Sequence, residues 1–235
     1  MRNITIVIIA IALLKWYFTD PSITVPTNDI SFNYIVKHTQ NSDSGDTLPM
    51  LVALHGNGDS TQNFYETALD KLNVPLRIVL LEGPISMGSG YRWPSGVDEH
   101  SKYAKAINEA VELLASKYST KQKPILLGFS GGGMMAYYQA ANYANSYSYI
   151  FPISGNLSGN LQTSNLAGST TKVFAYHGSN DRVVSASGGR NAVKILESQG
   201  MDVNYTEFNG NHHGIYTSMK TEITNTLEEK ILSLN

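Results

Sequence analysis

The chain has 235 residues, of which 42% are hydrophobic and 15% are charged. This balance is typical of one globular domain with a sizeable core, and it excludes a disordered chain. The formal net charge is −2, and Lys and Arg are scattered singly, so we expect no nucleic-acid partner. The sequence has no cysteine, which excludes disulfides, thiolate metal sites and cysteine nucleophiles.

The first residues predict export. Arg2 precedes an apolar run from Ile4 to Leu14, which has the length of a signal-peptide core and is shorter than the ~20 residues that span a bilayer. Bulky residues from Trp16 to Phe18 follow the run and disfavour cleavage there, so an uncleaved membrane anchor is the alternative. We assign residues 1–19 to a signal peptide or anchor and residues 20–235 to the folded domain. The protein is then periplasmic, secreted or attached to a membrane.

Strand-like and helix-like segments alternate from Ile30 onward. Short apolar segments predict strands over 30–38, 50–54, 77–81, 124–129, 149–153, 172–176 and 203–208. Apolar residues at three- and four-residue spacing predict helices over 100–118, 132–143, 188–198 and 216–232. This alternation predicts an α/β fold with a mostly parallel central sheet and helices on both faces. The polar stretch 154–171 is expected to be a long loop.

Ser130 is the candidate nucleophile. It lies in Gly128-Phe129-Ser130-Gly131-Gly132, a G-x-S-x-G sequence between a predicted strand and a predicted helix. A serine on so sharp a turn needs flanking residues without Cβ atoms, because the strained backbone and the crossing helix leave no room for them. The alternative is a glycine-rich turn with an incidental serine, which the flanking strand and helix disfavour.

A serine hydroxyl is a poor nucleophile unless a histidine takes its proton and a carboxylate orients that histidine, in the chain order Ser, Asp, His. Asp181 follows the strand 172–176, at the sheet edge where α/β sites are built. The alternative for Asp181 is a turn residue that binds its own backbone. Asp202 and Glu207 are rival carboxylates, but they lie in or before the last predicted strand.

Two adjacent histidines, His212 and His213, follow the last predicted strand in a Gly/Asn loop. One of them should face Ser130, and the residues alone leave the choice open. Exposed polar residues or weak metal ligands are the alternatives, but no carboxylate or third histidine accompanies the pair at ligand spacing, so we expect no metal. His177 ends the strand before Asp181, where it is better explained as a packing residue than as the base.

The oxyanion hole should take one backbone N–H from Gly131, the residue after the nucleophile. The second donor should come from the loop after the strand 50–54, which begins His55-Gly56-Asn57-Gly58. Its glycines let the backbone approach a substrate, which makes the N–H of Asn57 the best candidate. An ordinary strand-to-helix turn is the alternative.

Four motifs in this order resemble the phospholipase/carboxylesterase branch of the α/β-hydrolases, which includes the acyl-protein thioesterases. The family's L-H-G-x-G-D is matched by Leu54 to Asp59 and its G-F-S-x-G-G by Gly128 to Gly133. Its H-G-x-x-D-x-x-V is matched by His177 to Val184 and its G-x-x-H by Gly210 to His213. The resemblance implies the α/β-hydrolase fold without a large cap domain.

The resemblance also implies a catalytic triad of Ser130, Asp181 and His213, because the last motif selects His213 over His212. Gly131 departs from the family, since the thioesterases usually carry glutamine at this position. The segment Tyr91 to Pro94 falls where the branch often has an aromatic loop beside the acyl site. Trp93 is therefore a candidate for lining the pocket, with simple loop packing as an equal alternative.

The sequence thus predicts a serine hydrolase that cleaves carboxylic esters or thioesters through an acyl-enzyme and needs no cofactor. With few residues between the motifs, we expect an open site for soluble or surface-presented acyl esters. Because the glycine run after Ser130 also resembles secreted polyester depolymerases and feruloyl esterases, these activities and a peptidase are alternatives. A non-catalytic binding protein on a hydrolase scaffold is the alternative outside enzymes.

Overall fold

The computed structural model describes residues 23–39, 42–157 and 166–234. The predicted signal peptide or anchor, residues 1–19, lies outside the described residues. None of the helices in the described ranges is long and apolar enough to cross a bilayer.

An eight-stranded sheet forms the centre of the fold, in the order β1-β2-β4-β3-β7-β8-β9-β10. Strands β3, β4 and β7 to β10 are parallel, β2 is antiparallel to β4, and β1 is antiparallel to β2. This arrangement confirms the predicted α/β class with a mostly parallel sheet. The strands of this sheet are β1 Ile23–Pro26, β2 Ser31–His38, β3 Met50–Leu54, β4 Arg77–Leu81, β7 Ile125–Phe129, β8 Tyr149–Ile153, β9 Lys172–Gly178 and β10 Asp202–Phe208, and a separate hairpin pairs β5 Ile85–Met87 with β6 Gly90–Arg92.

Helices cover both faces of the sheet, as predicted. They are α1 Thr61–Phe64, which continues as a π-helical turn over Tyr65–Leu69, α2 Val97–Lys117, α3 Gly131–Tyr143, α4 Ala186–Ser198 and α5 Lys220–Leu232. Side chains alternate along β3 because successive Cβ atoms of a strand point to opposite faces. Val52 packs in a core with α2, α3 and α4, and Ala53 packs in a second core with α1 and α5.

Four features of the described residues were not predicted from the sequence: β1, α1 with its π-helical turn, the β5-β6 hairpin and a 3-10 turn over Ala144–Ser146. Each is built from segments of three to five residues, which carry little periodicity. The last helix begins at Lys220 rather than 216, because Gly214–Tyr216 forms a separate 3-10 turn. In the predicted loop 154–171, residues 158–165 lie outside the described part of the chain.

The chain changes direction across the sheet at β3. From β3 it proceeds to β4 on one side, and after the hairpin and α2 it returns to β7 on the other side. The carboxyl ends of β3 and β7 therefore flank the crevice where ligands bind in open α/β sheets. These two strand ends carry the loop after Leu54 and the turn at Ser130.

Candidate active site

Ser130 lies on a strained turn between β7 and α3. Its φ of 53° and ψ of −114° fall outside the conformations that most L-residues adopt. A Cβ at Gly128 would overlap the carbonyl oxygen of Gly132, and a Cβ at Gly132 would overlap that of Leu54. These close approaches explain the glycines around Ser130, since only residues without side chains let strand, turn and helix pack so tightly.

Three side chains from separate loops form one hydrogen-bonded chain. His212 Nε2 lies 2.9 Å from Ser130 Oγ, and His212 Nδ1 lies 2.7 Å from Asp181 Oδ2. The structure thus brings together the predicted Ser130 and Asp181. An imidazole bonded on one side to a hydroxyl and on the other to a carboxylate can remove the hydroxyl proton and hold the resulting charge.

The histidine in this chain is His212, so the prediction of His213 is wrong. His212 is 5% exposed, whereas His213 is exposed and its backbone N–H donates to Asn211 Oδ1 at 2.9 Å. Its ring packs edge-on against His212, with centroids 5.2 Å apart, at the mouth of the site. The family motif therefore aligned the base one residue too late.

Four polar groups surround the carboxylate of Asp181. The backbone N–H groups of Val183 and Val184 each donate to Oδ1 at 2.8 Å, and His212 and His177 lie near Oδ2. Burial favours the neutral acid, but the hydrogen bonds from His212 and from the two amides outweigh it, so the pKa of Asp181 lies below its ordinary value. Neither Asp202 nor Glu207 takes this place: Asp202 pairs with Lys172 and Glu207 pairs with Arg190.

Burial also lowers the pKa of His212 below its ordinary value, although the hydrogen bond to Asp181 acts in the opposite direction. His212 is therefore neutral at pH 7. A neutral imidazole with a hydrogen on Nδ1 presents a free lone pair at Nε2 to the Ser130 hydroxyl. The electrostatics of the site thus favour the protonation state that a general base requires.

The loop that carries His212 is held by side chains. The Ser154 hydroxyl, which is fully buried, donates to the carbonyl oxygen of His212 at 3.1 Å, and the Phe129 ring packs against the imidazole with centroids 5.0 Å apart. Sequence reasoning missed Ser154. Its only signal was its position directly after β8, at the same sheet edge as Ser130.

Asn57 and Gly131 face the same cavity as Ser130. Within the described residues, their backbone N–H groups make no hydrogen bond, so both are available to an oxyanion. The Asn57 side chain anchors its loop, because its Oδ1 accepts the backbone N–H of Trp93 at 3.0 Å. Ser130 N–H is engaged elsewhere, since it donates to Ile153 O at 2.9 Å.

Trp93 does not line the cavity, so its predicted contact with substrate is wrong. Its side chain is fully buried in the core, and its indole N–H donates to the carbonyl oxygen of His55 at 2.8 Å. Together with the bond to Asn57, this contact fixes the loop after β3 at two points. Trp93 thus supports the loop from behind instead of facing a ligand.

The missing side chain at Gly131 has a structural explanation. A Cβ at this position would overlap Oδ1 of Asn57. The Asn57 carboxamide therefore fills the space that a side chain at 131 would need. The departure from the glutamine of the thioesterases reflects this local fit between the two predicted oxyanion residues.

The cavity beside Ser130 has a volume of about 950 Å³ and opens to solvent. Phe129, His213 and Tyr216 form an aromatic wall on one side, with successive ring centroids 5.1 to 6.1 Å apart. Met134, in the first turn of α3, and Val183, two residues after Asp181, also line the cavity. Among the described residues that line the cavity, none is Lys or Arg, and Asp59 is the only Asp or Glu.

A metal site is not apparent in the ranges that the structure describes, where no three His, Asp or Glu side chains cluster as ligands. Likewise, no inserted domain covers the cavity within these ranges.

Comparisons with known proteins bear on the family and the fold of the chain. The sequence profile of the family described as Phospholipase/Carboxylesterase matches residues 94–231, which is more than half of the chain. Among curated proteins, no sequence matches this chain.

Solved structures of similar fold include three from bacteria. The carboxylesterase of Bacillus cereus is 18% identical, with a TM-score of 0.72 over 86% of this chain and 96% of its own. The carboxylesterase of Mesorhizobium loti is 15% identical, with a TM-score of 0.72 over 87% and 98%. The phospholipase/carboxylesterase of Dyadobacter fermentans is 20% identical, with a TM-score of 0.63 over 85% and 95%. At these identities the likeness concerns the fold, and it confirms the predicted α/β-hydrolase architecture.

Proposed function

We propose that this chain, which belongs to the phospholipase/carboxylesterase family of ester hydrolases, cleaves carboxylic esters or thioesters through an acyl-enzyme on Ser130. The observation that carries the proposal is the continuous chain from Ser130 Oγ through His212 to Asp181, with links of 2.9 and 2.7 Å. Each link is within hydrogen-bond range, and the order of hydroxyl, imidazole and carboxylate is that of a serine nucleophile with its base.

In the first half of the reaction, Ser130 Oγ attacks the carbonyl carbon while its proton moves to Nε2 of His212. The imidazolium that forms is stabilised by the carboxylate of Asp181 through Nδ1–H. The carbonyl oxygen becomes an oxyanion that accepts hydrogen bonds from the N–H groups of Asn57 and Gly131. The tetrahedral intermediate then breaks its bond to the alcohol or thiol, which leaves with the proton from His212.

In the second half, a water molecule gives a proton to the neutral His212 and its oxygen attacks the ester of Ser130. The second tetrahedral intermediate expels Ser130 Oγ, which recovers the proton from His212. The net reaction consumes one water and yields an acid and an alcohol or thiol. No cofactor takes part in this scheme.

The cavity supports small or surface-presented acyl esters as substrates. It opens to solvent, and its described lining lacks cations to hold an anionic acyl group. The aromatic wall of Phe129, His213 and Tyr216 favours a second candidate within the same chemistry, an esterase for aromatic acyl groups such as feruloyl esters. Planar rings stack favourably on such a surface. A panel of acetyl, butyryl, feruloyl, thioester and polyester substrates distinguishes these candidates.

Ser130→Ala tests the proposal. We expect turnover of p-nitrophenyl butyrate to fall by about 10⁴-fold or more, because the variant lacks the nucleophile. A fluorophosphonate probe should label the wild-type protein at Ser130 and leave the variant unlabelled. Ser116→Ala is the matched control, since Ser116 is exposed on α2 and should leave both readouts unchanged. Failure of the wild type to react with the probe would instead support a binding protein on this scaffold.

A further inference from the structure

His177 is a buried titratable residue that the proposed reaction does not use. It lies near the end of β9, and its side chain is fully buried. Its Nε2 lies 2.9 Å from the carbonyl oxygen of Val184 and 3.3 Å from Oδ2 of Asp181. A second imidazole therefore contacts the carboxylate oxygen that orients His212.

The contacts of the ring determine where its proton lies. A carbonyl oxygen only accepts hydrogen bonds, so Nε2 of His177 must carry the hydrogen that it donates to Val184 O. Oδ2 of Asp181 lies 3.3 Å from the same nitrogen, on the side of the ring that carries this hydrogen. Nδ1 is buried without a partner among the described residues, and the α4 backbone at Gly189 lies so close that a Cβ there would overlap it. A second proton on Nδ1 would have no acceptor, which costs free energy in a buried site. The contacts thus place the hydrogen of the His177 ring on Nε2.

This tautomer gives Asp181 a contact that does not depend on the base. Two backbone amides donate to Oδ1 of Asp181. The other oxygen, Oδ2, is bonded to His212, and His177 is its second side-chain neighbour. During turnover His212 alternates between neutral and charged forms. The His177 ring is fixed independently of these changes, because its N–H is bonded to Val184 O, which takes no part in proton transfer. Its 3.3 Å contact with Oδ2 can therefore persist while His212 gains and loses its proton.

We propose that His177 is a positioning residue, which fixes Oδ2 of Asp181 so that His212 is presented to Ser130 at the reactive distance. The proposal rests on the proposed function. A residue that only filled space at the end of β9 would affect the stability of the fold, whereas a positioning residue affects the rate of the chemical step.

Two substitutions separate these roles. His177→Gln keeps an N–H near the position of Nε2, and His177→Met keeps a side chain of similar length without a donor. We expect His177→Met to lower kcat by about 10- to 100-fold with KM within about twofold of wild type, since binding of the ground state is not affected. His177→Gln should restore most of the lost kcat.

Thr171→Val is the matched control. Thr171 is fully buried just before β9, at the opposite end of the strand from the site, and its hydroxyl donates to Ala144 O and Tyr147 O. Its replacement removes a buried donor and should lower the unfolding temperature without lowering kcat. The proposal is overturned if His177→Met retains the wild-type kcat, if glutamine rescues no better than methionine, or if Thr171→Val lowers kcat equally.

A measurement on the wild-type protein remains decisive even if the variants fail to fold. Imidazole ¹⁵N shifts at neutral pH should show His177 with hydrogen on Nε2 and a bare Nδ1. Hydrogen on Nδ1 alone overturns the proposal, because Nε2 would then turn a lone pair toward Val184 O and Oδ2 of Asp181 and would repel both oxygens. This result is independent of activity: labelling of Ser130 by the fluorophosphonate together with hydrogen on Nδ1 rejects the role of His177 alone, whereas absence of labelling rejects the proposed function.

Discussion

Ser130 lies on a turn shaped by backbone packing, whereas His212 lies on a loop that neighbouring side chains hold in place. Around Ser130, the carbonyl groups of Gly132 and Leu54 occupy the space where side chains at Gly128 and Gly132 would be. Around His212, the restraints are the hydroxyl of Ser154 and the ring of Phe129. The comparison shows that the nucleophile is positioned by neighbouring residues that have no side chain, whereas the base is positioned by the side chains of its neighbours.

The largest effect should come from the histidine side of this comparison. His212→Ala should lower kcat/KM by about 10⁴-fold or more, because it removes the proton acceptor for Ser130. His213→Ala, the matched control one residue along, should change kcat/KM at neutral pH by less than about tenfold, since it removes part of the cavity wall and leaves the proton acceptor in place. Steady-state kinetics on both variants measure the difference. An inactive His213→Ala beside an active His212→Ala would reverse the assignment made from the geometry.

A smaller effect is expected from the nucleophile side. Gly131→Ala puts a methyl group where the Asn57 carboxamide lies, so it should displace the loop and cost about 10²-fold in kcat through the oxyanion donors. Gly45→Ala makes the same change where a Cβ would meet nothing within 4 Å, and it should be silent. The double variant Asn57→Gly/Gly131→Ala removes the overlap and retains both N–H groups. Its kcat should exceed that of Gly131→Ala, and a further loss would contradict the steric account.

The smallest expected effect is a shift in the pH dependence of kcat/KM, which is set by His212 and not by the turn at Ser130. His212 acts as a base only when neutral, so kcat/KM should fall as pH drops through its pKa. Burial places that pKa below 6.5, the ordinary value for histidine, so the acid limb should have its midpoint below pH 6.5. Because a charge on His213 also disfavours protonation of His212, His213→Ala should move the limb to higher pH. A wild-type midpoint above pH 6.5 would show that Asp181 outweighs burial.

Most of the sheet was predictable because its inner strands are continuous apolar runs with glycine or serine at their ends. The strands β3, β4 and β8 were predicted to the residue, and the helices α2, α3 and α4 to within three residues at each end. Tertiary contacts explain why the start of the last helix was predicted four residues too early. The 3-10 turn Gly214–Tyr216 continues an apolar pattern typical of the last helix, yet it places Tyr216 beside Asp59 and Phe129.

The candidate site was predictable where local backbone constraints define it. Ser130 follows from its glycines, and Asp181 from its place after β9. The choice between His212 and His213 depends on how the loop is held: the Ser154 hydroxyl bonds the carbonyl oxygen of His212, and the Phe129 ring packs closer to His212 than to His213. Neither contact can be read from the sequence near the pair. For Trp93, an aromatic segment at the expected place gave no indication that the ring turns into the core to bond His55.

The overlap between the Asn57 carboxamide and a side chain at position 131 makes substitutions at these two positions mutually conditional. A lineage that replaces glycine 131 by a larger residue must first, or at the same time, reduce or redirect the side chain at 57. Related sequences should therefore show covariation of the two positions, with asparagine at 57 confined to chains that carry glycine at 131.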